Sequence, residues 1–221
     1  MTRTPELELM TEQEQAAAYA AANLVEVNEP IAAWFQAQFQ PLAPGARLLD
    51  IGCGTADLTI RLVRAYPGIT ALGIDGSEAM LGFGRDLVNT AGLTARIVLE
   101  RRYFPDVTLP AAAFDAVTAN SLLHHLSHPI AFWSALRRYA KPGAPILVAD
   151  LRRPPDPETV DGLVEQYASL ARPPLRRDFR NSLRAAYTAD EVREQLCSAA
   201  LSDFKVEESG TLHLVAWGYG A

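Results

Sequence analysis

The sequence predicts an α/β fold: a doubly wound, mostly parallel sheet of seven strands with helices on both faces. Three observations carry this reading. Between residues 45 and 150, short apolar runs alternate with helix-forming stretches through links punctuated by Gly and Pro, the pattern of a parallel sheet covered on both sides. The first of these runs, 47–51, carries Asp50 just before its last residue, is followed by Gly52-Cys53-Gly54 and leads straight into a helix. The chain has 221 residues, 49% apolar and 21% charged, an ordinary globular balance with enough material for a sizeable core.

Taken in order, 12–40 reads as helix interrupted before Pro30, rich in small and apolar residues, with Asn28 placed to cap its second segment. Residues 41–45 form a link. Strand 47–51 precedes helix 56–65, which Pro67-Gly68 closes. Strand 70–75 precedes helix 77–90, with Ser77 as its cap. Strands 95–100 and 114–120 follow, then helix 129–139, a turn at 141–145 and strand 146–150. After Pro154-Pro155 the alternation changes. Helices at 157–171, 181–186 and 189–199 separate the fifth strand from two last strand-like runs, 204–208 and 212–217. The whole reads as one domain: a helical cap (1–44), a ligand-binding core (45–150), a helical insertion over the sheet's carboxyl edge (151–200) and the final strands (201–221).

The formal net charge is −6, a surface that repels phosphate backbones, so nucleic acid is not an expected partner. Cys53 and Cys197 supply neither a disulfide framework nor metal-ligand spacing, and His128 and His213 have no partner spacing, so no metal is expected. No run has the length of a membrane span and 1–15 lacks a signal pattern, which predicts a cytoplasmic protein. Oligomeric state leaves no trace in the sequence.

The informative segment is Leu48-Leu49-Asp50-Ile51-Gly52-Cys53-Gly54-Thr55-Ala56-Asp57-Leu58-Thr59. A strand that ends in Gly-x-Gly and opens a helix lets a ligand approach bare backbone at the helix N-terminus, where N–H groups are free. A dinucleotide site would place glycine at position 57, where Asp57 stands and would repel a pyrophosphate. Asp75 ends the second strand, where an acid accepts hydrogen bonds from ribose hydroxyls. Asp50 adds an acid placed to orient a cationic amino group. Together these residues ask for a nucleoside joined to a zwitterionic amino acid.

The segment Asp50–Thr55 resembles motif I of the class I S-adenosylmethionine-dependent methyltransferases, whose sheet is Rossmann-like. Ile74-Asp75-Gly76-Ser77 followed by Met80-Leu81 is similar to that family's next motif. Phe114-Asp115-Ala116-Val117 through Leu123-His124-His125-Leu126 resembles its fourth-strand motif, and Lys141-Pro142-Gly143 its turn into strand five. Within the family, 54–59 most resembles the ubiquinone/menaquinone C-methyltransferase group and its small-molecule relatives. Ala56 in place of a third glycine, Gly143-Ala144-Pro145 in place of a double glycine, and the segment 101–105 depart from the pattern.

The resemblance implies S-adenosylmethionine as cofactor and S-adenosylhomocysteine as product. Asp50, Gly52, Gly54 and Thr55 would lie at the methionine end, Asp75 and Gly76 at the ribose, Met80 against adenine and Asn120 beside the cofactor at the end of strand four. Asp106 is the match for an acid facing the adenine amine. The expected reaction is in-line methyl transfer to a small molecule, which needs alignment and exclusion of water more than covalent chemistry. His124, His125 and Tyr19 are the candidate catalytic groups. Arg153, Arg177, Asn181 and Tyr187 are candidates for the acceptor pocket. The alternative is a non-catalytic cofactor-binding or regulatory protein that keeps the fold. An NAD-dependent oxidoreductase is disfavoured by Asp57.

Overall fold

The structure is a computed structural model that describes residues 1–6, 12–21, 25–104, 108–169 and 171–220. Its elements are α1 (Gln13–Ala21), α2 (Val25–Gln38), β1 (Arg47–Ile51), α3 (Asp57–Ala65), β2 (Thr70–Asp75), α4 (Glu78–Thr90), β3 (Ile97–Arg101), β4 (Ala116–Asn120), α5 (Pro129–Tyr139), β5 (Pro145–Leu151), α6 (Pro157–Ala168), α7 (Pro173–Ala185), α8 (Ala189–Ser198), β6 (Lys205–Ser209) and β7 (His213–Tyr219). A short 3₁₀ turn, Leu123–His125, follows β4.

The seven strands lie in the order β3-β2-β1-β4-β5-β7-β6. β1 to β5 are parallel, and β7 runs antiparallel to both β5 and β6. The order reverses between β1 and β4, which opens a crevice at the carboxyl ends of the strands, where such sheets bind ligands.

Alternation along the strands divides the core. Leu48, Ala71 and Ala116 pack with Phe35, Leu62 and Val63 on the face covered by α2, α3 and α4. Leu49, Ile51, Val117 and Ile146 pack with Trp133, Leu136, Val192 and Leu196 on the opposite face, under α5 and α8. Trp133 is fully buried and its indole N–H donates to Gln195 Oε1 at 3.0 Å, so it ties α5 to α8 without an orphan donor. Truncating such a side chain costs about 3–5 kcal/mol. A smaller cluster of Leu151, Val160, Val164, Leu183 and Leu212 seats α6 and α7 over the end of β5.

The starts of β1, β2 and α5 fall where the sequence puts them, and Ser77 caps α4 by accepting the Met80 N–H at 3.2 Å. The helix at 181–186 is longer than expected, running Pro173–Ala185, because two prolines at its first turn are compatible with a helix start. Pro30 sits inside α2 instead of preceding it, and Asn28 is a helical residue, not a cap. A proline in a second turn forfeits one backbone bond, a loss that tertiary packing of Ile31 and Phe35 offsets. Among the described residues no helix is long and apolar enough to cross a membrane.

Candidate active site at the carboxyl edge of the sheet

β1 delivers the glycine loop to the crevice. Gly52 and Gly54 have φ +72° and +52°, conformations that side chains resist. The Gly52 and Cys53 N–H groups donate to the Ile74 carbonyl at 2.8 and 3.1 Å, and the Gly54 N–H donates to Asp75 Oδ2 at 2.8 Å. The loop is therefore fastened to the end of β2. A Cβ on Gly54 would stand 3.2 Å from Met80 Cε, and one on Gly52 would stand 2.9 Å from Leu122 Cδ2.

Two glycines outside the motif are part of the same construction. At Gly73 a Cβ would meet Leu99 at 2.7 Å and Cys53 Sγ at 2.8 Å; at Gly84 it would meet Leu99 at 2.9 Å and the Gly54 carbonyl oxygen at 3.3 Å. Both allow close approach of β2 and α4 to the loop. Ala56, where the family pattern has glycine, takes φ +61° just before α3. That left-handed conformation costs a residue bearing Cβ about 1 kcal/mol.

Asp75 accepts the Ser77 N–H on Oδ1 and the Gly54 N–H on Oδ2, both at 2.8 Å, and the Gly76 amide also donates to the carboxylate. Burial pushes its carboxyl up, against the amide donors. Asp50 is buried, and both its oxygens accept from threonine hydroxyls, Thr59 on one and Thr118 (2.9 Å) on the other. Burial pushes its pKa to about 6 despite these donors. Asp57 accepts from Arg61 Nε at 2.7 Å and from Asn28 Nδ2 at 2.9 Å, while Asn28 Oδ1 accepts from Asn120 Nδ2 at 2.9 Å. Asn28 thus bolts α2 across α3 and the end of β4.

These groups border one cavity of about 910 Å³. Asp50, Gly52, Gly54, Thr55, Asp75, Gly76, Met80, Asn120, Tyr19, His124 and His125 all line it. Asp106 lies outside the described residues. The cavity extends from the glycine loop to a largely apolar and aromatic wall that includes Tyr167, Leu175, Phe179 and Leu212. All four histidines of the chain border it.

The Tyr19 hydroxyl is pushed up to about 12, first by burial and then by Asp75, Asp57 and Asp150, so it stays protonated near neutrality. His125 is pushed down to about 3 by burial and by its neighbour His124, so it stays neutral. His124 is buried, with Nδ1 2.6 Å from Asp150 Oδ1. Among the described residues, Glu6, His124 and His125 bring donor atoms within 4.8 Å of one another. The two rings are tilted by 40° with centroids 4.0 Å apart, and Glu6 accepts from the Ser182 hydroxyl.

The four residues expected at the acceptor pocket do not border the cavity. Arg153 donates to Glu191 Oε1 at 2.6 Å and to the Ala186 carbonyl at 3.1 Å, which fixes the start of α8 to β5. The Arg177 side chain is 64% exposed beside Asp178. The Tyr187 hydroxyl donates to the Leu126 carbonyl at 2.9 Å while Arg3 covers its ring at 4.0 Å. Asn181 is half-buried on α7, away from the cavity. Arg153 is thus turned to Glu191 and a backbone carbonyl, and its Nε is buried with no hydrogen-bond partner among the described residues.

Sequence reasoning missed Asp150 and Asn28. For Asp150 a signal existed: like Asp50 and Asp75, it is an acid at the end of an apolar strand. For Asn28 there was none, because its partners are 29 and 92 positions away.

Comparison with known proteins gives a consistent set of likenesses. Residues 49–146 match the family described as a methyltransferase domain. The chain is 28% identical over 180 residues to 27-O-demethylrifamycin SV methyltransferase of Amycolatopsis mediterranei, covering 80% of this chain and 61% of that one. It is 35% identical over 111 residues to ubiquinone biosynthesis O-methyltransferase of Methylococcus capsulatus, covering 49% of this chain and 45% of the relative. The chain thus spans between about half and three fifths of the length of these relatives. A crystal structure of an S-adenosylmethionine-dependent methyltransferase from Aquifex aeolicus superposes with TM-score 0.67 at 20% identity, over 93% of this chain and 97% of that one, a likeness of fold.

Proposed function

We propose that this chain, whose residues 49–146 match a methyltransferase domain, is a class I S-adenosylmethionine-dependent methyltransferase that transfers a methyl group from S-adenosylmethionine to a small molecule held in the same cavity. One observation carries this: a single cavity joins the glycine loop and Asp75 to an apolar, aromatic wall built by the helical insertion and β7. Its size is that of two small ligands side by side.

The residues present fit the cofactor. Gly52 and Gly54 expose backbone at a cradle that a Cβ on Gly54 would narrow against Met80. Asp75 borders the cavity at the end of β2, where a carboxylate accepts from ribose hydroxyls. Met80 is a soft apolar surface for adenine. Asp75, whose hydrogen bonds come from backbone amides and not from a cation, puts an acidic group at this end, suited to a cationic ligand. When bound, S-adenosylmethionine supplies an electrophilic methyl with a good leaving group.

The protein's own share is alignment and exclusion of water. Asn28 and Tyr19 close the cavity from the N-terminal helices. Tyr167, Phe179 and Leu212 offer an acceptor flat apolar contact, and the named relatives that act on rifamycin and ubiquinone precursors fit an acceptor of that kind. The catalytic reading is favoured over a binding-only one because the same cavity also reaches Tyr167, Phe179 and Leu212, away from the glycine loop in the chain.

The test is turnover. Protein incubated with methyl-labelled S-adenosylmethionine and a panel of hydroxylated aromatic compounds is expected to give S-adenosylhomocysteine and a labelled product from at least one of them. Tight binding of S-adenosylmethionine with no labelled product from any small molecule would leave the binding-only reading standing.

A further inference from the structure

α1 and α7 are far apart in the chain, yet a buried hydrogen bond joins them. Gln15 Nε2 donates to Asp178 Oδ2 at 2.7 Å, and both side chains are buried. The other oxygen of Asp178 accepts from Arg177, whose own side chain is 64% exposed. On α7, Leu175, Asp178, Phe179 and Ser182 recur at helical spacing, and all border the far part of the cavity. On α1, Gln15 shares a face with Ala18 and Tyr19, which border the cavity too. Besides burial, Asp75 and Asp57 act on the Tyr19 hydroxyl, so α1 meets the cofactor end. The Gln15–Asp178 bond thus runs from the helix over the cofactor end to the helix facing the acceptor end.

Apolar packing gives α1 little hold. Among the described residues its buried apolar side chains are Ala16 and Ala18, and neither belongs to a core cluster. Methyl groups bury little area, so the seat of α1 depends on polar contacts. The same part of the chain also finishes α7. The Arg184 and Ala185 carbonyls accept from the Thr4 N–H at 3.0 Å and from Arg3 Nε at 2.5 Å, and the Ser182 hydroxyl donates to Glu6 at 3.0 Å. A helix end leaves such carbonyls without helical donors, and a cation there suits the helix dipole. The N-terminal residues therefore meet α7 along its length, at Asp178, Ser182, Arg184 and Ala185.

We propose that Gln15 is a positioning residue: through Asp178 it couples α1 to α7, so that a bound cofactor also orders the acceptor wall. This deepens the methyltransferase reading and rests on it. A cofactor resting against Ala18 and Tyr19 fixes α1, and the Gln15–Asp178 bond passes that constraint to Leu175 and Phe179. A second ligand then has less of the wall to order, so the acceptor binds more tightly after the cofactor than before it. By linkage, an acceptor in place tightens the cofactor by the same factor.

The test is hydrogen exchange read by mass spectrometry, with and without saturating S-adenosylhomocysteine, its binding checked by calorimetry. In the wild type the ligand is expected to slow exchange in α7 by about fivefold or more, beyond any change in α5. Gln15→Met keeps the length of the side chain and removes its amide, and is expected to lose the slowing in α7 while still binding the ligand. Gln15→Glu sets a carboxylate against Asp178 and should lose it too. Adding Asp178→Asn to Gln15→Glu exchanges amide and carboxylate and should restore it. A merely structural Gln15 would change exchange alike with and without ligand. Bound ligand with no extra slowing in α7 of the wild type, slowing that survives Gln15→Met, or no recovery in the double variant overturns the proposal. Should Gln15→Glu fail to fold, the wild type and Gln15→Met still decide. No binding of S-adenosylhomocysteine to the folded wild type sinks the methyltransferase reading beneath it instead.

Discussion

Asp75 and Gly54 are joined by a 2.8 Å hydrogen bond from the glycine amide to the carboxylate, so the residue proposed to hold ribose also braces the loop proposed to hold the methionine end. The two halves of the cofactor site are therefore mechanically one. Asp75→Ala is expected to weaken S-adenosylhomocysteine binding at least tenfold. It should also cost about 1–3 kcal/mol of stability, since two backbone N–H groups lose their acceptor. Calorimetry and chemical denaturation of the variant read both effects. Asp75→Asn, which keeps an acceptor oxygen, should recover part of the stability.

Gly84 and Gly82 lie two positions apart on α4 but meet different surroundings. A Cβ at Gly84 would press on Leu99 and the Gly54 carbonyl, whereas nothing stands within 4 Å of one at Gly82. Gly84→Ala is expected to destabilise by about 1–3 kcal/mol through overpacking and to weaken cofactor binding by displacing the loop. Gly82→Ala should stabilise by about 0.5–1 kcal/mol through its helix propensity alone. Denaturation curves of the two variants separate the effects, and equal behaviour would contradict the loop packing described.

Asp50 gives a pH signature. Folded Asp50 holds its proton to about pH 6, while the unfolded chain releases it near 3.8. Between these values the folded state binds more protons, so this residue's contribution makes stability fall as pH rises, and it levels off above the folded pKa. About two pKa units correspond to about 3 kcal/mol. The stability difference between wild type and Asp50→Asn should therefore shift in favour of the variant by about 2–3 kcal/mol across that window. Denaturation at a series of pH values measures it; a pH-independent difference would contradict the assigned burial.

Arg153 and Arg177 should part company. Arg153→Ala removes an ion pair whose arginine is buried while Glu191 is 36% exposed, and should cost about 1–3 kcal/mol, because the Ala186 carbonyl and Glu191 lose this partner. Arg177→Ala, at an exposed site, should stay within about 0.5 kcal/mol of wild type. Thermal unfolding of both variants checks the contrast.

Most of the sheet could be read from the chain because strand endings are written locally. An apolar run that stops at Asp50, Asp75 or Asn120 and meets Gly, Ser or Leu is visible without knowing its neighbours. The cofactor end of the cavity follows from such local signals, and its residues do border one space. The far end of the cavity is not legible in the sequence because it is assembled from α6, α7, β7 and the His124 turn, whose proximity depends on packing. Charge drew attention to Arg153 and Arg177, while the wall is made of Tyr167, Phe179 and Leu212, residues that read in sequence as ordinary core. Pro30 reads as a break on helix propensity alone, and the tertiary contacts of α2 outweigh that propensity.

The most direct measurement is calorimetric titration of the folded wild-type protein with S-adenosylmethionine and then with S-adenosylhomocysteine. The expected result is saturable one-site binding of both, in the micromolar range, competing for one site and lost in Asp75→Ala. Absence of binding by either ligand to protein shown to be folded would contradict the account at its centre.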